Sequence, residues 1–157
     1  MKSQSGTSVI EVLIALAMVS IIIVSIGNVL SSVHARDTST ANRDRALAYA
    51  KESLDMVADI QKVSLFPPAV LPANPLHLAL VGSAWQLVAG PESLATAPPF
   101  DRREIKVENM WRDVNGNLAD PGTGSVDSST KKITATVFWS EGGKAKQLSL
   151  STVLTKQ

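Results

Sequence analysis

From Val9 to Val33 the chain is apolar around the whole circumference of a helix, interrupted by Glu11 and a few small polar residues. Val12 to Val33 carries no formally charged side chain, and that run is long enough to cross ~30 Å of hydrocarbon as a helix. The pattern then changes. Leu47, Ala50, Leu54 and Val57 recur at three- and four-residue spacing, with Ile60, Ala46 and Ala58 widening the stripe, while Arg43, Asp44, Arg45, Lys51, Glu52, Asp55 and Asp59 fall on the other faces. Between Thr7 and Phe66 there is no proline, and the only glycine is Gly27, so nothing stops one helix from running until Phe66–Pro68. At ~1.5 Å per residue that helix would be about 80 Å long. Its first half is a membrane span, and its second half expects a domain to pack on.

The remainder alternates with the period of strands. The segment Pro67–Pro75 holds four of the eight prolines and predicts an extended or turn-rich connection. Ser83–Gly90 predicts a short strand. Residues 103–113 place Ile105, Val107, Asn109 and Trp111 on one face, against Lys106 and Glu108 on the other. Residues 131–140 do the same with Ile133, Ala135, Val137 and Trp139, and residues 146–154 bring Leu148, Leu150 and Leu154 together. The glycines of Ser140–Lys144 predict a hairpin joining the last two strands. Three or four antiparallel strands with one apolar face need a cover, and the amphipathic half of the helix supplies it. The expected fold class is α+β.

Composition narrows the function. The 157 residues carry 15 Lys+Arg against 14 Asp+Glu, a formal net charge of +1, so no broad field favours nucleic acid, and no nucleic-acid partner is expected. The absence of cysteine removes disulfides, Cys-ligated zinc and a thiol nucleophile together.

The apolar run is too long for a cleaved secretory signal, whose apolar stretch spans roughly 7–15 residues. A plain membrane anchor does not account for Glu11, because a charge near bilayer depth costs roughly 2.5–3.5 kcal/mol on insertion scales. Snorkelling to the interface is the simplest alternative, since Glu11 lies near the start of the run. The neighbouring residues add to it: a short polar leader with one basic residue, MKSQS, then Gly6, then Thr7-Ser8-Val9-Ile10-Glu11, then the apolar helix. This order resembles the class III signal of type IV prepilins and pseudopilins. The C-terminal hairpin is in addition similar to that of minor pilins of the PilV-like, or pilus modification, group.

The resemblance implies a pilin-like lollipop, a long N-terminal helix packed on a small antiparallel sheet. Residues 1–6 would be the leader, 7–33 the transmembrane half of the helix, 34–64 its amphipathic half, and 65–157 the head with a proline-rich connection and variable loops. A prepilin peptidase would cut between Gly6 and Thr7, and the same enzyme would methylate the new N-terminus. Many members begin with phenylalanine after the cut; this chain begins with threonine. Glu11, fifth in the mature numbering, would pair with the N-terminal ammonium of a neighbouring subunit during filament assembly, a pairing that makes two costly charges tolerable. Gly27, followed by Asn28, would be the place where the helix breaks in a filament; close helix contact at a small residue is the other reading. Loss of Lys2 with the leader removes one of the 15 basic residues, leaving a formally neutral chain. The implied partners are the peptidase/methyltransferase, other pilin or pseudopilin subunits, the inner-membrane assembly platform and the cytoplasmic membrane. The implied location is single-pass in that membrane with the N-terminus inside and the head outside, then a pilus or pseudopilus on the cell surface.

Other chemistry is sparse. Asp113, Asn115 and Asn117 are spaced like the start of a calcium-binding EF-hand loop, but Leu118 stands where glycine is needed and Gly124 where the bidentate glutamate is needed. Asn-Gly and Asp-Pro-Gly form turns without metal, so the expectation is a surface loop and no metal or cofactor. No hydrolase, zinc-protease, Walker or dinucleotide motif occurs, and His34 and His77 lack the context of a catalytic site, so no enzyme is expected. Trp85, Trp111 and Trp139 all lie on expected strands and are assigned to the core. Two functions follow: a minor subunit of a type IV pilus or related pseudopilus, or a membrane-anchored extracytoplasmic binding module that does not polymerise.

Overall fold

The computed structural model describes residues 9–63 and 74–155. Gly6, Thr7 and most of the proline-rich connection lie outside the described residues. The chain divides into two compact units, Met1–Ala41 and Asn42–Gln157.

The helix α1 spans Val9–Val63 and is unbroken through Gly27 and Asn28, where a Cβ on Gly27 would meet nothing within 4 Å. In the first unit its large apolar side chains, from Val9 to Val33, are all exposed. It is long and apolar enough to cross a membrane, the one helix of that kind among the described residues. The hydroxyls of Ser20, Ser25 and Ser32 donate to the carbonyls of Leu16, Ile21 and Val29, each at 2.8 Å, so these polar groups are satisfied within the helix.

The second unit is two layers. Seven strands follow the last turns of α1: β1 (Leu76–Val81), β2 (Ala84–Ala89), β3 (Glu92–Ser93), β4 (Phe100–Arg112), β5 (Leu118–Ala119), β6 (Ser125–Glu141) and β7 (Lys144–Thr155). All pair antiparallel, in the order β2-β1-β4-β6-β7, with β3 and β5 also on β4. Ala46, Ala50, Leu54 and Val57 of the helix share a core with Leu76, Leu78, Phe100, Ile105, Val107, Ile133, Ala135, Val137 and Trp139 of the sheet. Burial of each large side chain contributes roughly 1.5–3 kcal/mol.

Several expectations are corrected. The sheet has seven strands where three or four were expected, because two-residue strands carry no periodic signal and β1 follows directly on the proline-rich segment. Leu47 is 45% exposed and Ala46 is 0% exposed. The buried stripe runs through Asn42, Ala46, Ala50, Ser53, Leu54 and Val57, and Leu47 lies one residue, about 100° of helix, to its side. Asn109 keeps the register of Val107, opposite Lys131, but is exposed: it is the last pair before the β4–β6 register slips at Met110, and its Oδ1 accepts from Lys131 Nζ at 2.6 Å in place of apolar packing. Trp139 is buried at 5%, Trp111 is half-buried, and Trp85 is 48% exposed. Trp85 pairs with Leu80 on the outermost hairpin, which is tied to β4 through the single pair Leu76–Ile105, so both side chains overrun the core.

Beyond that pair, the Asn74 side chain takes the place of a strand residue. Its amide donates to the Val107 carbonyl and its oxygen accepts from the Val107 N–H, both at 3.1 Å. The β6–β7 hairpin turns on Gly142 (φ 56°) and Gly143 (φ 74°), the two positive φ values that a two-residue turn of this kind requires.

Candidate functional site

Glu11 occupies the first described turn of α1 and is the only acidic residue there. No cation pairs with it among the described residues. The result is one carboxylate on a helix whose neighbouring side chains are exposed and apolar, and whose Ser20 and Ser25 hydroxyls are satisfied internally. Such a group needs a cation or donor supplied from outside the helix. Gly6 and Thr7, the other members of the expected processing site, lie outside the described residues, so Glu11 and Gly27 are the expected site residues that the helix carries.

In the second unit, Asp113, Asn115 and Asn117 do meet, in an arrangement closed by its own amides. Asp113 Oδ1 accepts from the backbone N–H groups of Asn115 (2.9 Å) and Asn117 (2.8 Å), and Oδ2 faces Asn117 Nδ2 at 3.3 Å. The backbone bond from Asn117 leads the set that lowers the Asp113 pKa below the usual carboxylate value. Asn117 thus presents its NH2 group to the carboxylate, while a metal would need its oxygen. No group of three or more His, Asp or Glu side chains able to hold a metal occurs among the described residues.

Beside this loop Arg112 spans from Asp127 Oδ2 (2.7 Å) to the Gly116 carbonyl (2.7 Å). Asp127 Oδ1 also accepts from the Ser129 N–H (2.8 Å) and hydroxyl (2.6 Å). Hydrogen bonds from Ser129 and Thr130, and then from Arg112, hold the Asp127 pKa far below the usual carboxylate range. Gly124 (φ 85°) closes the loop against β4, where a Cβ would run into the Arg112 carbonyl. The whole segment is a braced surface loop at the end of the sheet where β4 finishes, away from the Tyr49–Phe100 contact near the start of this unit's helix.

Arg103 was not anticipated as an inward residue, although it lies two positions before Ile105 and so on the core face of β4. Its side chain is 8% exposed. Nε and Nη2 reach Glu92 Oε2 at 2.8 and 2.7 Å, and Nη1 reaches Glu52 Oε2 and the Tyr49 carbonyl, each at 3.1 Å. One guanidinium therefore joins the helix, β3 and β4. His77 is similarly structural: its Nδ1 lies 3.0 Å from the Gly90 carbonyl, which can only accept, so that nitrogen carries the proton.

The chain matches no protein-family model, no curated protein and no solved structure.

Proposed function

We propose that this chain is a prepilin-like structural subunit, cut after Gly6 by a prepilin peptidase and assembled as a minor component of a type IV pilus or related pseudopilus. The observation that carries the reading is Glu11, a lone carboxylate in the first described turn of an exposed apolar helix. An anchor gains nothing from it. A polymer does, because the charge is satisfied only when another subunit brings its N-terminal ammonium, and that requirement sets the register of addition. The α+β class, a long apolar helix and an antiparallel sheet, is that expected of such subunits, although seven strands make a larger sheet than a small pilin head. The loop Asp113–Gly124 is rigidified by its own hydrogen bonds and faces outward from the sheet, which suits contact with partner subunits better than catalysis.

The test is intact mass and N-terminal sequence of the protein taken from membranes, with and without a co-expressed prepilin peptidase. A peptidase-dependent start at Thr7, with or without an added methyl group, supports the proposal. A chain that still starts at Met1 beside an active peptidase overturns it and leaves the anchored binding module.

A further inference from the structure

The outer edge of the sheet at β7 offers an interaction surface that the pilin-type reading does not require. The hairpin closes through Glu141 and Lys144 with two residues between, so that pair exchanges both backbone hydrogen bonds. Alternation then directs the backbone of Lys144, Lys146, Leu148, Leu150, Thr152 and Leu154 toward β6. Ala145, Gln147, Ser149, Ser151, Val153 and Thr155 direct theirs away, toward the open side. Thr155 agrees with this assignment, because its carbonyl is taken by Gln61 Nε2 at 2.6 Å. Among the described residues no strand lies beyond β7, and no other backbone bond reaches its outer groups.

Exposed edges are usually guarded by proline, by a bulge, by charged side chains, lysine above all, or by shortness. β7 is 12 residues long, pairs with β6 without a register shift, and has no proline; its charges are Lys144 and Lys146, both near the hairpin. Its core side is unfinished too. Leu148, Leu150 and Leu154 pack on the core yet stay half-buried.

We infer that the free edge of β7 receives an extended strand of a partner protein by β-sheet addition. Backbone groups of Ala145 to Val153 form the ladder. The partner strand alternates apolar residues, which cover Leu148, Leu150 and Leu154, with polar residues beside Gln147, Ser149 and Ser151. It carries acidic residues where it meets Lys144 and Lys146. A second copy of β7 is a poorer occupant, since the strand has two lysines and no acid to answer them.

The test uses the full chain in detergent, with isotope-labelled amides, and a blocked peptide of alternating leucine and threonine ending in two glutamates. On binding, amide exchange at Gln147, Ser149, Ser151 and Val153 should slow at least about tenfold, with Leu148 and Leu150 unchanged. The same peptide N-methylated on alternate residues should not bind. Ser151→Pro removes one outward N–H without touching the β6 ladder, a place where an edge strand accepts proline, and should weaken binding at least about tenfold. Lys146→Glu should weaken the glutamate-ended peptide and favour a lysine-ended one, an exchange that damage to the fold cannot produce. Absence of binding, or binding indifferent to N-methylation and to both substitutions, overturns the inference. A chain whose outer amides are already protected in a dimer that Ser151→Pro dissociates also overturns it, and assigns the edge to a second copy.

Discussion

The two stretches of α1 on either side of Ala41 treat their apolar side chains in opposite ways. Before it, large apolar side chains are exposed all round, and no one face is marked out for another part of the chain. After it, the apolar residues are fewer and smaller, and Ala46, Ala50, Leu54 and Val57 are buried against strands of the same chain. Hydrophobicity alone therefore does not say where a helix will pack. A uniform coat asks for a solvent, such as lipid, that is the same in every direction; a narrow stripe of small residues asks for one particular surface. Polar groups divide the same way. Glu11 has no described cation, whereas Arg103, buried in the second unit, is held by two carboxylates and a carbonyl.

From this contrast, the two parts should fail independently. The largest effect is expected at the first: on the filament-subunit role proposed above, Glu11→Ala should reduce incorporation into filaments at least about tenfold while the protein stays in the membrane fraction, measured as the ratio of sheared filament to membrane-bound protein. In the second, Ile133→Ala should lower the unfolding free energy of the sheet unit by about 3 kcal/mol, seen by denaturant titration of tryptophan fluorescence, with membrane residence unchanged. Arg103→Met should cost about 2 kcal/mol, because it removes the charged bonds that join the helix to β3 and β4, while Glu52 and Glu92 retain access to water and the Tyr49 carbonyl keeps the Ser53 hydroxyl as a donor. Fluorescence melts of the two variants rank them.

The smallest effect is on pH. Asp127 has a depressed pKa in the fold, so its contribution is complete above the unfolded carboxylate value of about 4 and is lost as pH falls toward the folded value. Below about pH 4 the wild type should lose stability relative to Asp127→Asn with a slope approaching about 1.4 kcal/mol per pH unit. Equal slopes for the two proteins would show that the carboxylate is not bonded as described.

Much of this was legible beforehand where a pattern repeats. The inward set Ile133, Ala135, Val137 and Trp139 follows from alternation over an uninterrupted strand, and the turn at Gly142–Gly143 from glycine chemistry. The helix stripe was legible to within one residue, since Ala46 and Leu47 differ little in a count but by about 100° in space. What stayed hidden depends on long-range pairing. Alternation places Arg103 on the core face of β4, but a guanidinium can be buried there only because Glu92, Glu52 and Tyr49, from other elements, converge on it, and no local window contains them. The exposure of Trp85 depends on how far its hairpin extends past the core. In the candidate site, the Asp-Asn-Asn spacing was visible, but the direction of the Asn117 amide was not. Glu11 stood out in the sequence because a lone charge in an apolar run is a purely local anomaly.

The bond from Gln61 to the Thr155 carbonyl sets the mechanics of the second unit. Tyr49 meets Phe100 edge-on with ring centroids 5.2 Å apart, Arg103 grips Tyr49 and Glu52, and Gln61 holds the end of β7, so attachments are spread along the helix from early to late turns. A pull entering through Asn42 along the helix axis loads these attachments together, in shear, and they must slip as a group. A pull that lifts one end of the helix away from the sheet peels them in sequence. The unit should therefore resist tension along its helix far better than force applied across it.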